Sequence, residues 1–304
     1  MSQGLPTIGF IGIGSMGKPM SQCLINAGYT LIVLDANTQA AADFAAQSGA
    51  RLATHAADLA RSSQIIITML PTSAIVKQVL EGENGLLAGL QPGTLVLEMS
   101  SGIPTATQQL ATQVQAAGGL LLDAPVSGGV PRAITGELAI MVGGPADAVE
   151  TAKPVLSAMG KSIVHTGDVG SAHAMKALNN LVSAGGFLIG VEALMIGQRF
   201  GLDPDVMVDV LNSSTGMNNS TQKKFKQFVL SRAFNSGFGL DLMVKDLTIA
   251  TGIAQESGTP APFSTLCREL WASSASLLGS GQDHTAVAKL VEHLANTELT
   301  SQKD

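Results

Sequence analysis

Three segments of the chain set glycine, hydroxyl and ionisable residues at spacings that can do chemistry. The first is Gly9-Phe10-Ile11-Gly12-Ile13-Gly14-Ser15-Met16-Gly17, in which Gly12, Gly14 and Gly17 give the spacing G-x-G-x-x-G. In a chain with 34 glycines the spacing alone is weak, but here it follows an apolar run and opens a helical pattern. Gly12 then permits a tight turn, Gly14 lets the backbone approach a pyrophosphate, and Gly17 lets the helix pack against the strand. Ile13, Ser15 and Met16 complete this turn, and the free N–H groups at the helix start face the anionic phosphates. The next β-like run ends in Asp35, eighteen residues past Gly17. A carboxylate there can accept hydrogen bonds from both ribose hydroxyls and repels a 2′-phosphate. Ala36-Asn37-Thr38-Gln39 follows and the nearest arginine is Arg51, so the expected cofactor is NAD rather than NADP.

The second segment is Asp123-Ala124-Pro125-Val126-Ser127-Gly128-Gly129. A serine hydroxyl followed by two glycine N–H groups makes a small anion nest suited to a carboxylate; a turn with no ligand fits the spacing equally well. The third is Gly167-Asp168-Val169-Gly170-Ser171-Ala172-His173-Ala174-Met175-Lys176-Ala177-Leu178-Asn179-Asn180. If it is helical from Ser171, Lys176 and Asn180 share one face. Lysine near a helix start is commonly solvated, whereas one on an interior face must be paired or used. Thr68-Met69-Leu70-Pro71-Thr72-Ser73 and Glu98-Met99-Ser100-Ser101 end two further β-like runs and read either as pocket walls or as ordinary turns.

These segments need a scaffold, and the pattern of the chain supplies one. Strands are expected at Thr7–Ile11, Leu31–Leu34, Gln64–Met69, Thr94–Glu98, Leu120–Asp123, Leu138–Val142 and Ser162–His165. Helical spacing lies between most of them, at Met16–Ala27, Gln39–Ser48, Ile75–Leu80, Thr105–Ala117 and Ala146–Met159. Such alternation predicts βαβ units and a mainly parallel, helix-covered sheet. After Gly167 only helical stretches are expected: Ser171–Phe200, Asp203–Asn212, Thr221–Leu230, Leu240–Ser257, Pro262–Leu278 and His284–Thr297. The fold class is therefore α/β, a Rossmann-type doubly wound sheet in residues 1–165, followed by an all-α domain in 166–304. The polar tail Glu298–Asp304 is expected to fray.

Composition narrows the partners. Apolar residues make up 45% and charged residues 13%, as in a folded globular chain. A net charge of −6 and 4% aromatics argue against nucleic acid. Cys23 and Cys267 are too few for a disulfide framework and read as core residues of a reducing, cytoplasmic compartment. Met1–Pro6 is short and polar, so no leader is expected. The apolar stretch Leu181–Gly197 is interrupted by Glu192 and carries Gly185, Gly186 and Gly190, so it reads as a buried helix and not as a membrane span. No metal site is expected.

Taken together, GFIGIGSMGKPM at 9–20, TMLPTS at 68–73, DAPVSGG at 123–129, GDVGSAHAMKALNN at 167–180 and LMVKDL at 242–247 resemble the β-hydroxyacid dehydrogenase family over nearly the whole chain. The resemblance implies a Rossmann-type domain, a long connecting helix and an all-α domain that mediates a homodimer or homotetramer. It implies NAD-dependent interconversion of a small β-hydroxy acid, of the 3-hydroxyisobutyrate or glycerate/tartronate semialdehyde type, with its carbonyl partner. It places Lys176 as general acid/base and Asn180 beside the substrate. Ser127, Gly128 and Gly129 become the carboxylate loop, and Met69, Leu70, Pro71 and Ser101 cofactor contacts. Lys245 is brought to the cofactor and substrate cleft, where its charge, with desolvation, favours the neutral amine of Lys176. The loop Asn212–Ser220 is implied to tune selectivity. Arg132 is either a second anion contact or a surface residue, and His55, His165 and His173 are structural or line the cleft. The alternatives are an imine reductase, which usually lacks the lysine and uses NADPH, a phosphosugar dehydrogenase of the 6-phosphogluconate type, whose helical domain is normally much larger, and a catalytically silent NAD-binding regulator.

Overall fold

Residues 4–301 are described in a computed structural model of the chain. Nine strands form one sheet among the described residues: β1 Ile8–Ile11, β2 Leu31–Leu34, β3 Arg51–Leu52, β4 Ile65–Thr68, β5 Leu95–Glu98, β6 Leu120–Asp123, β7 Val126–Ser127, β8 Leu138–Gly143 and β9 Gly160–Gly167. The helices between them are α1 Gly17–Asn26, α2 Thr38–Ser48, α3 Ala56–Arg61, α4 Ser73–Glu81, α5 Pro104–Ala116, α6 Gly129–Ile134 and α7 Ala146–Ser157. Strands β3-β2-β1-β4-β5-β6 lie side by side and parallel, so the order reverses between β1 and β4. In such sheets ligands gather outside the carboxyl ends at the reversal point. Beyond β6 the sheet departs from the parallel expectation: β8 runs antiparallel to β6 and β7, and β9 pairs parallel with β8.

The strands are apolar on both faces because helices cover both. One cluster packs Phe10, Met20, Val33, Ile67, Leu97 and Leu122; the other packs Ile11, Leu59, Ile66, Val96 and Leu121. Alternate residues of the same strands serve the two clusters, as a period of two requires.

The chain divides into two compact units, Met1–Lys176 and Ala177–Asp304. The division falls inside a 30-residue helix, α8 Ser171–Phe200, and so eleven residues after the sequence boundary at 165. The second unit continues with α9 Pro204–Asn212, α10 Asn219–Lys223, α11 Leu240–Glu256, α12 Pro262–Leu278 and α13 Ala288–Ala295. Its core gathers Phe187, Val191 and Leu194 of α8 with Phe225, Leu247, Cys267 and Trp271. By length and composition α8 could cross a membrane, but these buried residues make it a core helix.

Two expectations for the second unit are corrected. Thr221–Leu230 is not one helix: α10 ends at Lys223, the next residue Lys224 leaves the helical range with a φ of −129°, and Phe225–Leu230 winds as a π-helix. The tail is not frayed from Glu298 through Ser301. Leu299 is fully buried and its N–H donates to Glu292 Oε1 at 2.9 Å, while the Thr300 N–H donates to Gln198 Oε1. The remainder of the tail, 302–304, and the leader reading at 1–3 lie outside the described residues.

Candidate active site

The glycine turn lies between the carboxyl ends of β1 and β4. Gly12 has φ +103°, and a Cβ there would stand 2.2 Å from the Met69 carbonyl oxygen. A Cβ on Gly17 would stand 1.7 Å from the Gly12 carbonyl, so only glycine lets α1 start this close to the turn. Gly14 differs: no atom lies within 4 Å of its would-be Cβ. Its freedom is not needed by the fold, and its open face is the cradle a pyrophosphate requires. A largely apolar cavity of about 570 Å³ opens beside it, lined by Ile13, Gly14, Ser15, Lys18, Phe44 and Ile134. The residues present therefore fit a dinucleotide.

Asp35 follows β2 and does more than the sequence suggested. Its Oδ2 accepts the Ile13 N–H at 2.6 Å and its Oδ1 accepts the Asn37 N–H at 2.7 Å. The carboxylate thus ties the middle of the glycine turn to the head of α2, whose first turn Asn37 caps. The wall after β4 is fixed in the same manner. The Leu70 N–H donates to Ser100 Oγ at 2.8 Å, joining Met69-Leu70-Pro71 to Ser100-Ser101 after β5.

Ser127 ends β7, and Gly128 and Gly129 take φ of +134° and +67° to turn the chain into α6. Arg132, exposed, folds its aliphatic stem over Gly128, where a Cβ would meet its Cδ at 2.7 Å.

The start of α8 is held from the strand ends. Asp123 closes β6, and its Oδ1 and Oδ2 accept the Gly170 and His173 N–H groups at 2.8 and 2.9 Å. A carboxylate at this end of a helix also meets its positive pole. His173 is buried, with Nε2 2.8 Å from Glu98 Oε2 and Nδ1 2.9 Å from Thr107 Oγ1. Burial alone would lower the His173 pKa and raise that of Glu98, but their mutual attraction outweighs it: the imidazole is shifted up and the carboxyl down. Lys176 follows one turn later and is only 7% exposed, so the solvated reading does not hold. His55 and His165 make contacts to nearby backbone. His55 Nδ1 accepts the Asp58 N–H at the head of α3, and His165 Nε2 lies 2.8 Å from the Gly144 carbonyl.

In the second unit, Asn180 and Lys245 come together through a residue the sequence reading passed over. Asp246 is 1% exposed; its Oδ2 accepts the Asn180 Nδ2 donor at 2.5 Å, and its Oδ1 lies 3.4 Å from Lys245 Nζ. An acidic residue beside Lys245 inside an otherwise apolar LMVKDL was the available signal. The loop before α10 is occupied in part with its own fold: Asn218 forms a capping box with Thr221. Among the described residues no cluster of His, Cys, Asp and Glu could hold a metal ion.

Residues 7–167 match the NAD-binding domain of 6-phosphogluconate dehydrogenase, and residues 170–291 match the NAD-binding domain of NADP-dependent 3-hydroxyisobutyrate dehydrogenase. The chain belongs to the β-hydroxyacid dehydrogenase family. It is 35% identical to 2-(hydroxymethyl)glutarate dehydrogenase of Eubacterium barkeri over 96% of this chain and 97% of that one. Its identity to the NAD-dependent L-serine dehydrogenase of Pseudomonas aeruginosa is 36%, over 94% and 97%. A solved structure of 3-hydroxyisobutyrate dehydrogenase from Mycobacterium tuberculosis with L-serine superposes with a TM-score of 0.88 at 32% identity, over 95% of this chain and 99% of that one. The protein is thus an oxidoreductase of this family, with a nicotinamide dinucleotide as its cofactor.

Proposed function

We propose that the enzyme oxidises a small β-hydroxy acid with NAD, or reduces the matching carbonyl compound, with Lys176 as general acid/base. The observation that carries this reading is a nearly buried lysine on a helix whose first turn is bolted to the strand ends of the dinucleotide domain. Burying an ammonium-bearing side chain is costly unless it is used or paired. The bound nicotinamide supplies the hydride acceptor or donor. The chain's own residues move the proton: the Lys176 amine accepts it from the substrate hydroxyl in oxidation, and its ammonium returns it to the carbonyl oxygen in reduction. Such proton transfer contributes roughly 10²–10⁴-fold in rate.

Ser127 with the Gly128 and Gly129 amides anchors the substrate carboxylate. Asn180 orients the substrate, and Lys245 contributes positive charge toward its anionic groups and the cofactor. The turn from Gly12 to Gly17, with Met69, Leu70, Pro71 and Ser101, lines the dinucleotide, and Asp35 selects NAD over NADP by repelling a 2′-phosphate. The names of the relatives, for a hydroxymethyl dicarboxylate, L-serine and 3-hydroxyisobutyrate, share a three-carbon unit bearing a carboxylate and a primary alcohol. That unit defines the substrate class, and 3-hydroxyisobutyrate and glycerate are its small members. Lys176 separates this reading from an imine reductase, and with Asn180 and Lys245 from a silent binder. The second unit also mediates a homodimer or homotetramer, because Val182, Ile189, Ile196 and Phe200 of α8 are exposed along one edge.

NAD and NADP reduction is to be measured with 3-hydroxyisobutyrate, L-serine, glycerate, threonate, 3-hydroxypropionate and 4-hydroxybutyrate. Turnover with at least one acid, faster with NAD, is expected. Tight NAD binding with no turnover on any acid would overturn the reading.

A further inference from the structure

A buried cluster lies under the first turn of α8 that the acid/base reading leaves unused. It joins three strand ends and two helices. His173 from α8 meets Glu98 Oε2 at the end of β5, Thr107 Oγ1 on α5 and the Ser100 carbonyl at 3.1 Å. Glu98 Oε1 in turn accepts the Ser100 N–H at 3.0 Å, and Ser100 Oγ accepts the Leu70 N–H from the wall after β4. Asp123 from β6 faces the same turn and accepts the His173 N–H. Gly102 closes the cluster on its loop side: a Cβ there would stand 2.8 Å from His173 Cε1. The side chains of His173 and Glu98 are 0% and 2% exposed.

We propose that the His173–Glu98 pair is a positioning device for Lys176, fixing the angle at which the lysine-bearing turn of α8 leaves the strand ends that carry the dinucleotide walls. The inference rests on Lys176 being the acid/base, and it adds residues that touch neither substrate nor cofactor. Three physical points support it. Residues three apart on a helix lie on adjacent turns of one side, so any roll of the helix about its axis that displaces His173 displaces Lys176 as well. Two opposite charges in a buried site cannot separate without leaving an unpaired charge, so the contact has one arrangement and not a range. The same Ser100 that Glu98 holds also holds Leu70, so the wall after β4 and the lysine helix share one anchor.

The ionisable groups facing His173 are Glu98 and Asp123, both acidic, with Lys176 one turn on along its own helix. The imidazole is shifted up and the carboxyl down, each by the charge and hydrogen bonding of the other, so burial does not neutralise the contact. Both ring nitrogens of His173 are engaged inside the cluster, by Glu98 and the Ser100 carbonyl on one side and Thr107 on the other.

The test uses Glu98→Gln, which keeps the shape and removes the charge, with His173→Ala, Lys176→Ala and each combined with Lys176→Ala. Rates are measured with NAD and whichever acid of the panel above turns over fastest. Each single variant at Glu98 or His173 is expected to lose about ten- to a hundredfold in kcat, the scale of a misplaced catalytic group, with NAD affinity unchanged within about threefold. In the Lys176→Ala background the same substitutions should cost nothing further. A readout without turnover is the pH dependence of acetic anhydride labelling at Lys176 in the cofactor-free enzyme, followed by peptide mass spectrometry. Its midpoint should move in Glu98→Gln. A folded Glu98→Gln enzyme with wild-type kcat and an unmoved midpoint would overturn the proposal, as would an equal loss with and without Lys176. Near-wild-type turnover of Lys176→Ala would instead overturn the acid/base reading on which it rests.

Discussion

At the scale of single residues, the glycines of the turn carry different burdens. Gly12→Ala puts a Cβ against the Met69 carbonyl at a φ of +103°, so the fold itself suffers. The expected loss is about 2–4 kcal/mol of unfolding free energy, read by urea denaturation. Gly14→Ala meets no atom within 4 Å. It should melt as the parent does, yet bind NAD at least about tenfold more weakly by calorimetry, because the lost approach is to the ligand alone. If both variants lost stability equally, the cradle reading of Gly14 would fail. Asp246 offers a second residue-scale prediction. Asp246→Asn keeps the shape but strips the charge beside Lys245 and reverses part of the hydrogen bonding to Asn180. Turnover should fall about tenfold or more in kcat/KM, with the melting temperature nearly unchanged.

Residue types that do chemistry at a chain-local spacing could be read ahead of the fold: Gly12, Gly14 and Gly17, Ser127 to Gly129, Lys176 with Asn180. What could not be read was the set of partners. Glu98, Asp123, Thr107 and His173 lie on four elements whose adjacency depends on the strand order. Sequence spacing carries no information on which buried carboxylate meets which helix end. Asp35 shows the same limit. Its position is evident in the sequence, but its hold on the Ile13 and Asn37 N–H groups arises only in the fold.

At the scale of elements, long periodic segments were legible and short ones were not. Strands β2 and β6 and helices α8 and α12 have the bounds their patterns predict. Strands β3 and β7, two residues each, fall below any period, and α3 has only the six residues Ala56–Arg61. The junction ahead of α13 carries an element-scale prediction. His284 starts a 3-10 turn at Asp283, its ring stacked on Trp271 and tilted against Phe187 in the second unit's core. Burial, helped by the Lys224 charge and opposed by Asp283, pushes its pKa down to about 4. A folded value below the unfolded one of about 6.5 means the unfolded chain binds more protons in between, so stability rises with pH there. The contribution is complete above about pH 6.5 and lost as the pH falls toward about 4. By calorimetry, the parent should lose up to about 3 kcal/mol more than His284→Asn across that window. Equal acid sensitivity of the two would show that His284 is not the titrating group.

At the scale of the whole molecule, the exposed face of α8 is the feature a single chain leaves unexplained. Val182, Ile189 and Ile196 recur every seven residues and are 76%, 56% and 71% exposed. Such a stripe is the geometry of a helix that packs against another helix. Ile189→Asp should convert an oligomer into a smaller species by light scattering; an unchanged mass would place any interface elsewhere. The chain's activity as an enzyme turns on Lys176, and the decisive measurement is single-turnover hydride transfer by Lys176→Ala, saturated with NAD, on the best acid of the panel. The variant should bind NAD like the parent, with a hydride-transfer rate lower by roughly 10²–10⁴-fold. A rate within about twofold of the parent's, at equal NAD occupancy, would contradict it.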